Sequence, residues 1–487
     1  ALFAFKSYVG RVGSLVAGFL FTISPFISFY SRYTRNEIYI VFWGMALLWG
    51  VLRYLEFGRK RTLLFITIIT ALHFTDKATS YIFTAELLIF LAIIFISRIL
   101  TKPWQSQSLR NLFLIVVALT MLMGLAAFGV GYNALSNAPT SEEDEGVGVM
   151  FSEIDPNMRL LIGGLVLGLL VGIGFAAYLL IKGIGWFGIR DERSFDLLIL
   201  QGTIVLPLLA ALPMDLLGFN PLDYSTNGIL TSAFFVVPLF ILALLIGLWW
   251  NWKVWALNIG VFWSIFIIFY TTLFTQGSGF FMGLMGALGY WIAQQGVTRG
   301  TQPLYYYALV QIPIYEFLPA FGTLLAGVMA IPILRKSLKK LSQQPETENE
   351  LEDLDEDLNP QPVVEEVNLV ENIVIDEVNE EEAQLIAIEE PEEHPQTRIV
   401  DNEGEVRQPP VLALLLYWSV MSLVAFSFAG ERMPWLTTHI AMPLILTSGW
   451  SIGKLLESFD WSVFKRHRGW LMAIVGALFL LTSFLTF

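Results

Sequence analysis

Two guanidinium groups and a carboxylate stand within six positions of one another, as Arg32, Arg35 and Glu37. Arginines three residues apart can hold a phosphate through paired hydrogen bonds, here with a carboxylate beside them. Apolar runs at 15–29 and 38–52 flank this turn, so it lies at a membrane surface rather than in hydrocarbon. The alternative is that the arginines are interfacial anchors or form ion pairs with a neighbour.

A second group of such residues lies between 291 and 316, where aromatic side chains alternate with Gln294 and Arg299 and continue to Tyr307. This mixture suits a sugar face and a phosphate, and it equally suits a belt at the lipid headgroups. Glu316 follows inside a predicted membrane helix, where a carboxyl group is costly unless it is paired. We therefore expect Glu316 to have a function or to form a buried ion pair.

A third group is the tight turn at 430–435, which carries the adjacent pair Glu431 and Arg432 before Pro434 and Trp435. The pair either neutralises itself or contributes a cation and a carboxylate to a site. Lys77, in the polar turn at 75–79, adds a further cation. A lipid-linked phosphate keeps its tail in the bilayer and its phosphate at the membrane surface. Cations and carboxylates that converge at that surface could therefore bind it.

The composition predicts an all-α polytopic membrane protein. The 487 residues are 55% hydrophobic and only 15% charged, with a mean hydropathy of +0.63, and apolar runs near the length of a membrane helix recur from end to end. The absence of cysteine excludes disulfides, thiolate metal sites and a cysteine nucleophile. The four histidines show no zinc-ligand spacing, although a divalent metal held in another way stays possible.

The apolar segments predict about thirteen membrane spans and one shorter segment, 279–291, that is re-entrant or lies on the surface. The expected spans are 12–30, 38–57, 63–74, 81–96, 111–132, 160–181, 195–212, 228–250, 254–274, 304–334, 411–429, 439–456 and 469–487. Successive connections between these spans lie on alternate sides of the membrane, and nearly all Lys and Arg fall in the connections on one side. We therefore expect that side to be cytoplasmic. The three groups above then face the extracytoplasmic side of a plasma-membrane protein.

The net charge of −13 comes from one segment. Residues 342–409 hold 23 acidic and two basic side chains, which leaves a charge of +8 on the rest of the chain. Its charge runs and prolines predict a disordered cytoplasmic loop. The expected division is therefore a transmembrane body at 1–341, the acidic loop at 342–409 and C-terminal membrane helices at 410–487.

These motifs resemble the GT-C superfamily of polytopic glycosyltransferases. The turn at 24–37 is similar to the exit of the third helix in family-39-like enzymes, which are related to protein O-mannosyltransferases. The runs at 290–317 and 430–435 resemble a prokaryotic branch described as flippase-activity-associated. The likeness covers nearly the whole chain except the acidic loop.

The resemblance implies a GT-C-like helical bundle that transfers sugar from a polyprenyl-phosphate donor to a protein, glycan or lipid acceptor, with inversion and without a nucleotide sugar or nucleic acid. It implies Glu37 as an acidic catalytic residue and a main catalytic acid in a loop upstream of Ala1, so that the first helices would be missing. Substrate contacts are then expected from Arg32, Arg35, Lys77, Gln294, Arg299, Tyr307, Glu316, Glu431 and Arg432.

Two other classes of function stay open. A transporter or flippase for a lipid-linked sugar would use the same cations but would also need a polar path through the membrane. A membrane scaffold would act through the acidic loop, so that deletion of 342–409 would abolish its function while sparing an enzyme's turnover.

Overall fold

A computed structural model describes residues 2–33, 35–136, 151–295, 302–342, 406–429 and 432–460, with scattered positions beyond 460. The described residues form helices and turns without a β-strand. Chain contacts divide the protein into two units, Ala1–Val328 with Ile399–Phe487, and Met329–Arg398. The second unit begins within a helix, and most of its residues lie outside the described ranges, as do positions 343–405 of the acidic loop predicted at 342–409.

The helices follow the apolar segments of the sequence. They are α1 Leu2–Val9, α2 Arg11–Ile23, α3 Pro25–Tyr30, α4 Glu37–Phe57, α5 Lys60–Asp76, α6 Ser80–Ile99, α7 Gln107–Ser136, α8 Pro156–Ile184, α9 Trp186–Arg190, α10 Arg193–Val205, α11 Ala211–Leu216, α12 Thr226–Tyr270, α13 Gly279–Phe281, α14 Ala287–Gln295, α15 Ile312–Tyr315, α16 Phe317–Ser342, α17 Val411–Phe428 and α18 Thr437–Ser458. Two π-helical turns, Met282–Gly286 and Tyr306–Gln311, precede α14 and α15.

Eight helical segments of the described residues are long and apolar enough to cross a membrane, which makes this a multi-pass membrane protein. They are Glu37–Phe57, Ser80–Ile99, Gln107–Leu135, Pro156–Ile184, Arg193–Leu216, Thr226–Tyr270, Phe317–Lys336 and Val411–Phe428. The difference from the thirteen expected spans has identifiable sources. The segment 12–30 is broken into two shorter helices, and α5 and α18 are less apolar than the other helices. Helix α12 is counted as one span, although two were expected, at 228–250 and 254–274. Most of 469–487 lies outside the described residues.

Helix breaks fall where the side chains favour them. Ser24 takes an extended conformation before Pro25, which disfavours helix in the preceding residue, and the Ser24 hydroxyl accepts a hydrogen bond from the Ile27 amide. Asn251 has non-helical angles and divides α12 in two, close to the boundary expected between 250 and 254. Its side chain caps the second half by accepting a hydrogen bond from the Val254 amide. A further break falls at Glu316, between Pro313 and Pro319.

Small residues let α2 and α18 approach closely. Gly449 and Gly453 are four residues apart on α18 and face Gly13 and Ala17 on α2. A Cβ atom added at Gly453 would lie 2.4 Å from the Gly13 Cα atom. This small-x-x-x-small pattern is common where membrane helices pack, and it closes the N-terminal part of the chain against α18.

Two ends of the bundle can be distinguished by their side chains. At the C-terminal end of α4, Arg193 donates to the Leu55 and Glu56 carbonyls. Arg98, in the last turn of α6, and Lys102, beyond it, form ion pairs there with Glu192. The N-terminal end of α4 carries a different set of polar groups, which forms the candidate site.

Candidate functional site

Glu37 is buried at the start of α4 and is paired with two cations. Lys77 Nζ lies 2.8 Å from Glu37 Oε1, and Arg35 Nε lies 3.3 Å from Glu37 Oε2. The Glu37 side chain is only 1% exposed. A carboxylate so deeply buried is tolerated because charges of opposite sign accompany it, and the first turn of a helix also favours a negative charge. The three side chains together carry one net positive charge.

Arg35 connects this group to a third segment of the chain. Its guanidinium carbon lies 4.0 Å from the ring centroid of Trp435, in a cation–π contact. Trp435 stands in the short helical turn Pro434–Leu436, directly before α18. The loop before α4, the loop after α5 and the start of α18 therefore meet at Glu37.

Asp76 ends α5 beside Lys77. The Asn36 side-chain amide donates a 2.9 Å hydrogen bond to the Asp76 backbone carbonyl, while Asp76 Oδ2 is buried without a hydrogen-bond partner. Burial raises the pKa of Asp76, and hydrogen bonds from Asn36 and Trp43 together with the charge of Lys77 only partly oppose this. A carboxyl whose pKa is raised in this way accepts a proton more readily near neutral pH than an ordinary aspartate does.

Two buried histidines pack against one phenylalanine, Phe83, near this group. The ring centroid of Phe83 is 5.0 Å from that of His73 and 5.8 Å from that of His439. His439 also stacks on Phe426 and is close enough to Lys77 for their charges to interact. Within the described residues, neither nitrogen of His439 has a hydrogen-bond partner, nor does His73 Nε2.

Further unpartnered polar atoms lie on the same helix ends. At this end, the hydroxyls of Thr79, Ser80 and Thr437 are buried without a hydrogen bond among the described residues. Folded proteins leave few buried polar atoms unsatisfied, and each requires an explanation such as water or a ligand. Their concentration around Lys77 marks this end of the bundle as a place for polar molecules.

Glu316 belongs to a neighbouring part of the same end. Ser24 donates a 2.5 Å hydrogen bond to Glu316 Oε1, and the Glu316 side chain is fully buried. It is therefore hydrogen-bonded to a hydroxyl, and no ion pair involves it among the described residues. Tyr30 lies between this part and the Glu37 group, since it interacts electrostatically with Arg35, Glu37 and Tyr306.

The structure brings together some of the residues expected from the sequence. Glu37, Arg35 and Lys77 are in direct contact. The Tyr307 hydroxyl donates to the Met433 carbonyl, 3.0 Å away, and so joins the π-helical turn to the segment before α18. Glu316 is connected to the site region through its hydrogen bond from Ser24, and the adjacent Tyr315 ring packs against Phe26.

Other expected residues are not in contact with Glu37. Arg32 is exposed, and in the described ranges no ion pair includes it. Gln294 is buried, with its Oε1 atom unpartnered, but no hydrogen bond among the described residues links it to the Glu37 group. Arg432 is partly exposed. Arg299 and Glu431 lie outside the described residues, so their expected roles stay predictions.

Sequence reasoning did not identify His73 and gave Asp76 no role of its own. Both lie at the end of α5, where the local sequence does not indicate their neighbours, which are Asn36 and Trp43 for Asp76 and Phe83 for His73. Their one signal was position, because Asp76 precedes Lys77 and His73 lies one turn earlier. Within the described residues, no group of three or more His, Cys, Asp or Glu side chains could hold a metal ion.

Comparisons with protein-family models, with curated proteins and with solved structures find no match for this chain. Its function is therefore argued from the geometry of the Glu37 group and from the sequence motifs quoted above.

Proposed function

We propose that this protein is a membrane glycosyltransferase that moves a sugar from a polyprenyl-phosphate donor to a hydroxyl or amine acceptor. The observation that carries the proposal is the buried Glu37 carboxylate held between Lys77 and Arg35 at one end of a membrane helix bundle. Two cations that converge there can exchange their carboxylate partner for a phosphate. The donor's lipid chain then stays in the bilayer, along the apolar helices.

In this proposal Glu37 holds the cations in place. Each of its two oxygens forms an ion pair with one of them. When the donor binds, Arg35 and Lys77 turn towards the phosphate and neutralise the charge that develops as the bond between the phosphate oxygen and the anomeric carbon breaks. Trp435 keeps Arg35 at this position through its ring face.

Asp76 is the proposed proton acceptor. The acceptor's oxygen or nitrogen forms a bond to the anomeric carbon, the phosphate oxygen leaves with the bonding electrons, and the acceptor's proton passes to Asp76 Oδ2. That oxygen is unpartnered and next to Lys77, and the raised pKa of the carboxyl suits general-base catalysis. The unpartnered hydroxyls of Thr79, Ser80 and Thr437 are available to the sugar's own hydroxyls.

The proposed orientation places the Glu37 end outside the cytoplasm. The opposite end gathers Arg53, Arg98 and Lys102 with the basic flanks of neighbouring helices, and short loops rich in Lys and Arg stay in the cytoplasm. Transfer would then take place on the extracytoplasmic face of the plasma membrane, where polyprenyl-phosphate sugars serve as donors for enzymes of the GT-C type.

The test is sugar transfer in membranes that contain the full-length protein, with polyprenyl-phosphate sugars labelled in the sugar. Lys77→Ala and Arg35→Ala should each lower kcat/KM for the donor at least tenfold, because both donor binding and stabilisation of the leaving phosphate are weakened. Arg61→Ala removes the same charge from an exposed residue at the other end of α5 and should leave transfer unchanged. Unchanged transfer in both site variants, with the protein present at normal amounts, would refute the proposal.

One observation supports a second candidate, the transport of a lipid-linked sugar. Glu86 lies within the membrane-spanning helix Ser80–Ile99 and is buried, and a polar group at such a depth is what a transport path requires. Reconstituted vesicles distinguish the two functions. An enzyme forms a new glycosidic product on one face, whereas a transporter moves the intact lipid-linked sugar between leaflets.

A further inference from the structure

Glu86 is a carboxyl group inside the membrane-spanning part of the bundle, apart from the Glu37 group. It lies on α6, and its side chain is 4% exposed. Glu86 Oε2 accepts a 3.1 Å hydrogen bond from the Ser422 hydroxyl of α17, and Oε1 has no hydrogen-bond partner in the described structure. A buried carboxyl in a membrane helix usually has a function, because keeping it there is costly.

The unpartnered oxygen belongs to a side chain that lines a cavity between α4, α6 and α17. The volume open to the centres of water-sized molecules is about 30 Å³. The walls are otherwise almost entirely apolar or aromatic. They are formed by Gly44, Leu47, Leu48, Val51, Phe83, Leu87, Leu414, Tyr417 and Trp418.

No cation accompanies this carboxyl in the part of the chain that is described. The side chains that donate hydrogen bonds to it are those of Ser422 and Trp418, both neutral. The other titratable group at the cavity is Tyr417 on α17, whose hydroxyl donates to the Glu86 backbone carbonyl. His73 of α5 and His439 of α18 are separated from the cavity by Phe83, and α4 contributes only apolar side chains and Gly44.

We propose that Glu86 is a proton-binding site within the membrane, protonated at neutral pH and able to release its proton through the cavity. An unpaired carboxylate in such surroundings would bear a large desolvation cost, which a bound proton removes. The Ser422 hydroxyl and the Trp418 indole N–H are both donors, so they stabilise the carboxylate that forms when the proton leaves. The step is a simple exchange in which the carboxylic acid becomes a carboxylate and a proton.

The site is independent of the proposed glycosyl transfer. Glu86 lies one helical turn after Phe83 on α6, and Phe83 contacts both buried histidines on its other side. Proton release at Glu86 would place a negative charge directly behind this ring. The proton site thus lies next to the Glu37 end without sharing any of its charged residues.

Infrared spectroscopy of the protein in lipid vesicles tests the protonation directly. The difference spectrum between the unaltered protein and Glu86→Gln at neutral pH should contain the carbonyl band of a protonated carboxyl, and this band should be lost as the pH rises. Carboxylate bands in that difference spectrum at neutral pH would overturn the proposal.

A second test, chemical labelling, uses the unaltered protein and so does not depend on the folding of Glu86→Gln. Diisopropylcarbodiimide is lipid-soluble and reacts with protonated carboxyl groups, so peptide mapping of the intact protein should find the label at Glu86, with labelling lost at higher pH. Asp196 is the internal control, because Tyr54 and Trp250 occupy its two oxygens at 2.7 and 2.8 Å. Absence of label at Glu86, or equal labelling of Asp196, would refute an accessible proton site.

Discussion

Lys77 Nζ lies 2.8 Å from Glu37 Oε1 and thereby fixes the loop after α5 against the first turn of α4. The ammonium group is about a quarter exposed, whereas the carboxylate is almost completely buried. Breaking the pair therefore leaves the more costly partner inside the protein, with Arg35 as its remaining partner.

Lys77→Met should lower the free energy of unfolding by about 2 kcal/mol, less than the loss of a fully buried pair because Lys77 is partly hydrated. Thermal unfolding in lipid nanodiscs measures this. The double variant Lys77→Met with Glu37→Gln should lose less stability than the sum of the two single variants, since it leaves no unpaired carboxylate. Additive losses would show that the two side chains are not coupled.

Asp76→Asn should abolish the acidic limb of the pH–rate profile for sugar transfer. A general base works when it is deprotonated, and burial raises the pKa of Asp76. Transfer by the unaltered protein should therefore rise with pH through a midpoint above that of an ordinary aspartate. Asp76→Asn should lower kcat at least a hundredfold with little change in KM. A variant that keeps the same pH dependence would remove Asp76 from this role.

Gly453→Ala should destabilise the protein by about 1–3 kcal/mol, in the range found for overpacked interiors. The added methyl would lie 2.4 Å from the Gly13 Cα atom, so α2 and α18 must separate. Gly164→Ala is the matched control, because a Cβ there meets no atom within 4 Å, and alanine is the better helix former. Thermal unfolding of the two variants side by side is the measurement. Equal stability would contradict the close packing.

Asp191 should make the stability of the bundle depend on acid pH. Burial alone would raise its pKa, but Lys102 and Arg407 outweigh burial and lower it. The ion pairs therefore contribute fully above the unfolded pKa, near 3.9, and their contribution is lost as the pH falls through the lower folded value.

Arg407→Gln tests this pH dependence. Arg407 lies 3.2 Å from Asp191 Oδ1, and its backbone amide donates to the Glu56 carbonyl, a contact that glutamine keeps. The variant should be less stable at neutral pH and should lose less of its melting temperature on acidification than the unaltered protein. Parallel melting curves for the two proteins across the acid range would contradict the assignment.

The length of the apolar segments predicted the membrane helices well where no helix break interrupts them. The expected span 38–57 corresponds to Glu37–Phe57, and the expected division between 250 and 254 coincides with the kink at Asn251. The sequence failed where local side-chain chemistry decides the backbone. Ser24 and Pro25 end a helix that hydropathy continues to residue 30, and the break near Glu316 falls at the carboxylate rather than at either proline.

The candidate site was only partly predictable. The contacts of Arg35 and Lys77 with Glu37 could be suspected because scarce charges at one membrane surface attract each other. The position of His439 beside Phe83 and the contact of Trp435 with Arg35 depend on tertiary packing between segments hundreds of residues apart. No periodicity within either segment specifies the other, so these contacts appear only in the folded chain.

The contact of α18 with α2, and of Trp435 with Arg35, sets the order in which the protein can mature. Helices α2 to α6 are made hundreds of residues before the segment that completes their polar end. Until α18 follows them into the membrane, Arg35 lacks its aromatic partner and Gly13 lacks its contacts with Gly449 and Gly453. A ribosome stalled before residue 435 would therefore display an inserted intermediate whose polar end is incomplete.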